Sequence, residues 1–219
     1  MRDTSKKMKH KICATITTFL LLLLLLLSCD REEIITANNY CLTEAIAAEP
    51  WDGQYRFPTI TSGTFIYKGR QYTNGYFPHY HHDYPAADID VAVKSPLYAP
   101  VSGKILYIHQ PGDFDWNLPE TYGGGRILIL GDDGLWHYLS HNSEIWACVG
   151  DRVLRGEQIG LTGMTGNAVN THPHIHYGIN VPGSNVLDWQ HRRGGFPFWP
   201  ALQAWHDGNY LASPWDYKP

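Results

Sequence analysis

The stretch RILILGDDGLWHYL, residues 126–139, decides the fold class of this protein. Two apolar runs rich in isoleucine, leucine and aromatic residues flank Asp132-Asp133-Gly134. An Asp-Gly pair between two such runs is typical of the tight turn of a β-hairpin. The stretch therefore predicts two antiparallel strands joined by a short turn.

Further short strands are predicted on both sides of this hairpin, with glycine or proline turns between them. They are expected at 64–67, 104–108, 153–160 (as a strand–turn–strand unit) and 174–180. The core region has no long segment with a 3.6-residue apolar period, and short helical segments are expected at 43–48 and at 200–206. The fold class predicted is mainly β, one antiparallel, β-sandwich-like domain over 61–185, followed by an aromatic C-terminal extension over 186–219.

Length and charge narrow the class of partner. The chain has 219 residues and a net charge of −4, with 17 Lys and Arg against 21 Asp and Glu. This length is enough for one domain with a substantial core. Because no basic excess exists to neutralise phosphates, we expect no nucleic-acid partner.

The histidines are concentrated in three short segments. Eight of the twelve lie at His79, His81, His82, His137, His141, His172, His174 and His176. These segments are predicted strand ends or adjoining loops, so a fold that gathers strand ends would bring the imidazoles into one cleft. Neutral imidazole and carboxylate are standard zinc ligands, and a catalytic zinc uses about three of them with one position open. The pattern predicts a zinc site.

His174-Ile175-His176 is the most informative of these segments. In a strand, residues i and i+2 point to the same face, so both imidazoles are expected to point into one site. A pair of histidines with this spacing is weak evidence alone, since such pairs are often only solvated.

Ordered motifs around this pair resemble the lysostaphin/LytM-type peptidoglycan zinc metallopeptidases. The downstream half reads G150-D-x-V-x-x-G-x-x-I-G-x-x-G-x-T-G166, then HIHY at 174–177. Asp88-Ile89 and PLYAPVSG at 96–103 resemble the first half, and His141 falls at the position of a family histidine. The resemblance covers about residues 79–180 and implies the family's fold, a lysostaphin-type peptidase domain with a duplicated hybrid motif.

The resemblance also implies roles for residues. Asp88 and His176 would be zinc ligands, and His174 and His141 would be catalytic, one as general base and the other stabilising the tetrahedral intermediate. The family places a further histidine ligand four residues before the aspartate, where this chain has Tyr84. We expect His82 to replace it, with His81 as the alternative.

Other residues near these motifs have competing interpretations. Asp90 is a rival carboxylate for Asp88, since the two would share a strand face. Tyr84 and Asn167 either line the cleft or only pack and turn. His79 and His172 are expected at the surface or beside a ligand.

The N-terminus has the pattern of an export signal. Basic residues up to Lys11 precede an apolar run over 12–27, which is short for a membrane span. Leu26-Leu27-Ser28-Cys29 resembles a bacterial lipobox, so we expect a lipoprotein signal peptide at 1–28 and acylation of Cys29. Residues 29–60 would form a tether and entry segment, and the protein would be exported and lipid-anchored in the cell envelope. Cys41 and Cys148 could pair there.

The function expected from this resemblance is zinc-dependent hydrolysis of peptide crosslinks in peptidoglycan, with its peptide stems as substrate. A D-alanyl–diaminopimelate crosslink and a glycine-rich bridge are both open. The alternative is a degenerate, metal-free relative that binds peptidoglycan or activates a cell-wall amidase.

Overall fold

A computed structural model describes residues 51–78, 81, 84–112 and 114–217, and all of them lie in one compact unit, Thr43–Pro219. The described strands are β1 (Thr64–Tyr67), β2 (Arg70–Thr73), β3 (Ala87–Asp90), β4 (Pro96–Tyr98), β5 (Gly103–His109), β6 (Gly125–Gly131), β7 (Trp136–Asn142), β8 (Glu144–Ile145), β9 (Arg152–Val153), β10 (Gln158–Leu161) and β11 (His174–Asn180). The described α-helices are short, α1 (Trp189–Arg192) and α2 (Trp199–His206). Single 3₁₀ turns lie at Pro119–Thr121, Gly166–Asn170 and Pro214–Tyr217.

A six-stranded sheet forms the centre, in the order β3-β11-β7-β6-β5-β9, and every pair in it is antiparallel. A three-stranded sheet, β4-β10-β8, and the hairpin β1-β2 accompany it. The mainly β, antiparallel fold class is confirmed. The hairpin predicted from residues 126–139 is β6-β7, whose ends meet at Gly131 and Leu135 through a 2.9 Å backbone hydrogen bond.

The core draws on segments at both ends of the described chain. Tyr55 is fully buried and stacks on the ring of Trp205 at 4.7 Å between centroids, so an upstream segment packs against α2. α2 begins at Trp199, beside the predicted start, with Pro200 in its first turn, where a missing N–H costs no helical hydrogen bond. The extension is therefore part of the packed core.

Several predictions for the N-terminus lie outside the described residues, among them the signal peptide and the acylation of Cys29. Cys148 is disulfide-bonded, and its expected partner, Cys41, also lies outside them. Within the described ranges, no helix has the length and apolarity that crossing a membrane requires.

Candidate metal centre

Three side chains converge at one end of the central sheet. His81, Asp88 and His176 each offer one ligand atom, and these atoms lie within 4.8 Å of one another. Nδ1 of His176 is 2.9 Å from Oδ1 of Asp88, and Nε2 of His81 is 3.7 Å from Oδ2 of the same carboxylate. Imidazole and carboxylate in this number form the donor set of an open zinc site.

Strand pairing places two of the three residues. β3 and β11 run antiparallel with Asp88 directly opposite His176 and Asp90 opposite His174. Alternate residues of a strand share a face, so these four side chains lie on one face of the sheet. The sequence spacing of His174 and His176 thus leads directly to the arrangement in the folded chain.

A tight loop brings the third residue back over the strands. The His81 amide donates to the Ala86 carbonyl at 3.1 Å, and the Tyr84 amide donates to the His81 carbonyl at 3.3 Å. The His81 ring packs 4.4 Å from the Tyr84 ring and 4.9 Å from the His176 ring. His82, the ligand expected first from the sequence, lies outside the described residues, and the described alternative His81 stands beside Asp88.

The hydrogen bonds of His176 indicate that a cation belongs here. Its Nε2 lies 2.8 Å from the Arg193 carbonyl oxygen, which only accepts, so Nε2 carries the hydrogen. In the neutral ring, Nδ1 then turns a lone pair toward the Asp88 carboxylate. Burial raises the pKa of Asp88, but the neighbouring His176, His174 and His81 lower it by more, so this carboxylate is ionised. Two lone-pair atoms at 2.9 Å need a proton or a metal ion between them, so the donor set fits zinc.

His174 and His141 stand beside this cluster with matching tautomers. Nδ1–H of His174 donates to the His172 carbonyl at 2.7 Å, and Nδ1–H of His141 donates to the Thr165 carbonyl at 2.9 Å. Each ring therefore presents Nε2 as an acceptor, and the two ring centroids are 4.8 Å apart. Burial lowers the pKa of both imidazoles, which keeps both rings neutral at neutral pH.

The backbone at His141 is held in an uncommon conformation. Its φ is 68°, in the left-handed region that a residue with a Cβ rarely adopts. The His141 amide donates to the Gly123 carbonyl at 2.9 Å, and a Cβ at Gly163 would lie 2.7 Å from the His141 carbonyl oxygen. These neighbours fix the turn that aims the imidazole, as is typical of strained residues at functional sites.

The prediction that all the clustered histidines share one cleft is wrong for His137. Its side chain is fully buried, with Nδ1 2.7 Å from the Tyr177 hydroxyl and Nε2 3.0 Å from Oδ2 of Asp133. His137 is one residue before Tyr138 on β7, and successive side chains of a strand point to opposite faces. His137 therefore lies in the core, away from the metal centre.

His172 and Asp90 form a neighbouring pair. Nε2 of His172 is 2.7 Å from Oδ1 of Asp90, and the His172 ring stacks on Tyr72 at 4.6 Å. Burial raises the pKa of Asp90 above its ordinary value despite this contact. The rival carboxylate of the sequence analysis is thus bound to another histidine. His79 lies outside the described residues.

Two cavities adjoin the metal centre, and His81 lines both. The first, of about 260 Å³, is the cleft, lined by His81, Tyr84, Tyr122, Gly123, Tyr138, Ser140, His141, Asn167, His176, Trp189 and Arg193. The second, of about 490 Å³, is lined by the residues of β2 together with Asp88, Asp90 and His172. Tyr84 and Asn167 therefore line the cleft.

Some cleft residues were missed by the sequence analysis. Tyr122 comes from the loop between β5 and β6, and Trp189 and Arg193 come from the extension. Neither segment has a motif that identifies it. The positions of Trp189 and Arg193 depend on how α1 packs on the central sheet. The approach is close, since a Cβ at Gly178 would lie 2.1 Å from the Arg193 carbonyl oxygen.

Comparison with protein families places the metal centre in a known context. Residues 82–188 match the model of Peptidase family M23. Among curated proteins, the peptidoglycan DD-endopeptidase ShyA of Vibrio cholerae serotype O1 (strain ATCC 39315 / El Tor Inaba N16961) is 31% identical over 100 residues. That alignment covers 45% of this chain and 20% of ShyA, so the chain spans about a fifth of the relative that it matches.

Two solved structures are similar to part of this chain. The catalytic domain of the antimicrobial peptidase lysostaphin from Staphylococcus simulans has a TM-score of 0.46 and 25% identity, covering 60% of this chain and 92% of that one. A zinc-containing peptidase from Vibrio cholerae has a TM-score of 0.43 and 22% identity, covering 58% of this chain and 37% of that one.

Proposed function

We propose, from the premise that residues 82–188 are a domain of peptidase family M23, that this chain is a zinc-dependent endopeptidase that hydrolyses peptide crosslinks of bacterial peptidoglycan. The observation that carries the proposal is the cluster of His81, Asp88 and His176, in which an imidazole nitrogen of His176 meets the Asp88 carboxylate at 2.9 Å. A family relative that acts on peptidoglycan supports the choice of substrate.

In this proposal Asp88, His176 and one histidine of the 81–82 pair hold the zinc. Bound zinc supplies Lewis acidity, which polarises a carbonyl and lowers the pKa of a water molecule. The Arg193 carbonyl fixes the tautomer of His176, so that Nδ1 is the ligand atom. His81 serves as the third ligand unless the metal measurements below assign that position to His82.

His174 and His141 carry the proton in this proposal. One Nε2 takes the proton of the attacking water as its oxygen adds to the scissile carbonyl carbon. The protonated ring is then an N–H donor that delivers the proton to the leaving amine nitrogen as the C–N bond breaks. The other ring takes up a proton from solvent as negative charge develops on the same carbonyl oxygen, and it then stabilises that charge as an N–H donor.

The two cavities that adjoin the metal centre favour an endopeptidase. His81 lines both of them, so a peptide chain has room before and after the scissile bond. Aromatic side chains of Tyr84, Tyr122 and Trp189 line the first cavity and provide apolar contact area for a peptide.

The test is to measure bound zinc by mass spectrometry of the metal, together with release of crosslinked fragments from purified peptidoglycan by chromatography. We expect about one zinc per chain and chelator-sensitive cleavage in the parent protein. Asp88→Ala and His176→Ala should lose the zinc. His174→Ala and His141→Ala should keep the zinc and lose activity.

His172→Ala is the matched control, because His172 bonds Asp90 and lies outside the proposed ligand set. His81→Ala and His82→Ala decide which histidine completes the site: the variant that loses zinc identifies the ligand. If the parent protein binds no zinc after reconstitution, the endopeptidase proposal fails. Peptidoglycan binding and amidase activation would then test the metal-free alternative.

We also propose that the protein acts outside the cytoplasm, anchored through an acylated Cys29. The lipobox-like LLSC at 26–29 supports the anchor, and the cell-wall substrate of the family supports the location. Expression of the full chain and of Cys29→Ser should give membrane-bound and released protein respectively. Equal membrane association of the two would refute the anchor and leave the peptidase proposal intact.

A further inference from the structure

Arg193 places a positive charge on the lining of the cleft, and its guanidinium packs against aromatic rings. Its guanidinium carbon lies 3.9 Å from the Tyr84 ring centroid and 4.9 Å from the Trp189 ring centroid. The Arg193 amide donates to the Trp189 carbonyl at 3.1 Å, and the Arg193 carbonyl accepts from His176. A guanidinium fixed at both ends in this way is preorganised for a planar anion.

Arg193 is also close to the metal centre. Tyr84 is the shared neighbour, since its ring contacts the guanidinium and its centroid lies 4.4 Å from that of the His81 ring. A group bound by Arg193 would therefore lie one aromatic ring away from a candidate zinc ligand.

Two further guanidinium groups lie behind the cleft. Arg192 and Arg126 are each 2% exposed, and Arg192 stacks 4.2 Å over the ring of Tyr107. Nε of Arg126, Nε and Nη1 of Arg192 and Nε of Arg193 are buried without a hydrogen-bond partner in the described part of the chain. Buried charges of one sign create a strong local potential because the surrounding protein screens them poorly.

Among the described residues, no carboxylate forms an ion pair with any of these three arginines. The arginine ion pairs of the described ranges join Arg152 to Asp132 and Arg155 to Asp52, both outside the cleft. The described residues that line the cleft include no aspartate or glutamate. This end of the cleft therefore has positive charge to offer an anionic ligand.

We propose that Arg193 determines specificity by binding a free carboxylate of the substrate beside the scissile amide, with Arg192 and Arg126 supplying the potential behind it. The inference rests on the proposed function and names its substrate class. It favours a crosslink whose amine-side residue bears a carboxylate, as in a D-alanyl–diaminopimelate crosslink, over an uncharged glycine bridge. Arg193 lies beyond the family match at 82–188, so the extension adds this specificity.

The test compares two soluble crosslinked peptide dimers that differ only at that carboxylate, free in one and amidated in the other. With the zinc-loaded full chain we expect kcat/KM to favour the free carboxylate at least about tenfold, as expected for a charge-assisted hydrogen bond. Arg193→Gln should abolish the preference, mainly through KM, while bound zinc is unchanged. Arg193→Lys should retain part of it, because lysine keeps the charge without the bidentate fork.

Arg155→Gln is the matched control, since it removes an arginine that is paired outside the cleft, and it should keep the full preference. Equal cleavage of both dimers by the parent protein would overturn the proposal, as would a preference that survives in Arg193→Gln.

If the parent protein cleaves neither dimer, calorimetric binding to zinc-loaded His174→Ala separates the two proposals. The carboxylate site is supported if His174→Ala binds the free-carboxylate dimer more tightly than the amidated dimer and the double variant His174→Ala, Arg193→Gln does not. The peptidase proposal would still fail in that case. Equal binding of the two dimers would overturn the carboxylate site as well.

Discussion

Tyr177→Phe tests whether the buried histidine of β7 is a core residue that is separate from the metal centre. Burial, with the Asp133 charge, raises the pKa of Tyr177, so its hydroxyl keeps its proton and donates to Nδ1 of His137 at 2.7 Å. Nε2–H of His137 donates to Asp133 at 3.0 Å. The substitution leaves a fully buried Nδ1 without its donor and adds no steric bulk.

Loss of a hydrogen-bond partner by a buried acceptor costs about 1–3 kcal/mol. For a domain of this size, each kcal/mol lowers the melting temperature by about 2–4 °C. We therefore expect Tyr177→Phe to lower the melting temperature by about 2–12 °C. Zinc content and affinity should be unchanged, because the His137 side chain lies on the opposite face of the sheet from the metal centre.

The assay is thermal and urea unfolding of the chelated protein, because chelation removes any contribution of bound metal to the free energy of unfolding. Tyr210→Phe is the control, because Tyr210 is 41% exposed and the same atom is deleted where water replaces it. A loss below about 0.5 kcal/mol, the range of surface substitutions, would refute the assignment of this hydroxyl to a buried network. A fall in zinc affinity would refute its separation from the metal centre.

Two other predictions concern pH and backbone geometry. Burial raises the pKa of Asp133, but the neighbouring His137 imidazole and the hydrogen bond from the Leu135 amide outweigh burial and hold the pKa below its ordinary value. The ionised carboxylate therefore contributes stability above its unfolded pKa of about 3.9, and this is lost as pH falls through the lower folded pKa. Urea unfolding measures the difference in unfolding free energy between the parent and Asp133→Asn. We expect this difference to be steady from pH 7 to about 5 and to shrink below about pH 4. A difference that is unchanged at pH 2 would contradict this prediction. Gly166→Ala should cost more unfolding free energy than Gly134→Ala and should also lower peptidase activity. Both glycines have positive φ, 64° and 80°, but a Cβ would lie 2.1 Å from the Tyr122 carbonyl oxygen at Gly166 and meets nothing within 4 Å at Gly134. The left-handed backbone alone costs each variant about 1–2 kcal/mol of unfolding free energy. Equal losses in the two variants would therefore contradict the close approach at Gly166.

The local elements of this fold follow from the sequence because their signals are local. Asp-Gly between two apolar runs predicted the hairpin β6-β7, and the strand period predicted that His174 and His176 share a face. The extension's short helix was expected one residue from its start at Trp199. In each case the residues that carry the pattern lie within a few positions of the element that they predict.

The metal centre was predictable only in part. Motif spacing identified Asp88, His141, His174 and His176 as candidates, and the structure places all four together. The choice between His81 and His82 depends on the path of a loop, and strand alternation did not exclude His137 until the register of β7 was known. A count of clustered histidines cannot tell which face a side chain occupies.

The sequence by itself therefore predicted the fold class, the resemblance to a peptidase family and most of the candidate donor residues, since these depend on short-range patterns and on ordered motifs. Tertiary structure alone decided the tautomer of His176, which a carbonyl 17 residues away fixes. It also brought Arg193 and its aromatic neighbours to the cleft wall. The physical reason is that charge, burial and hydrogen bonding at a site depend on which distant segments pack together, and no local sequence pattern specifies that packing.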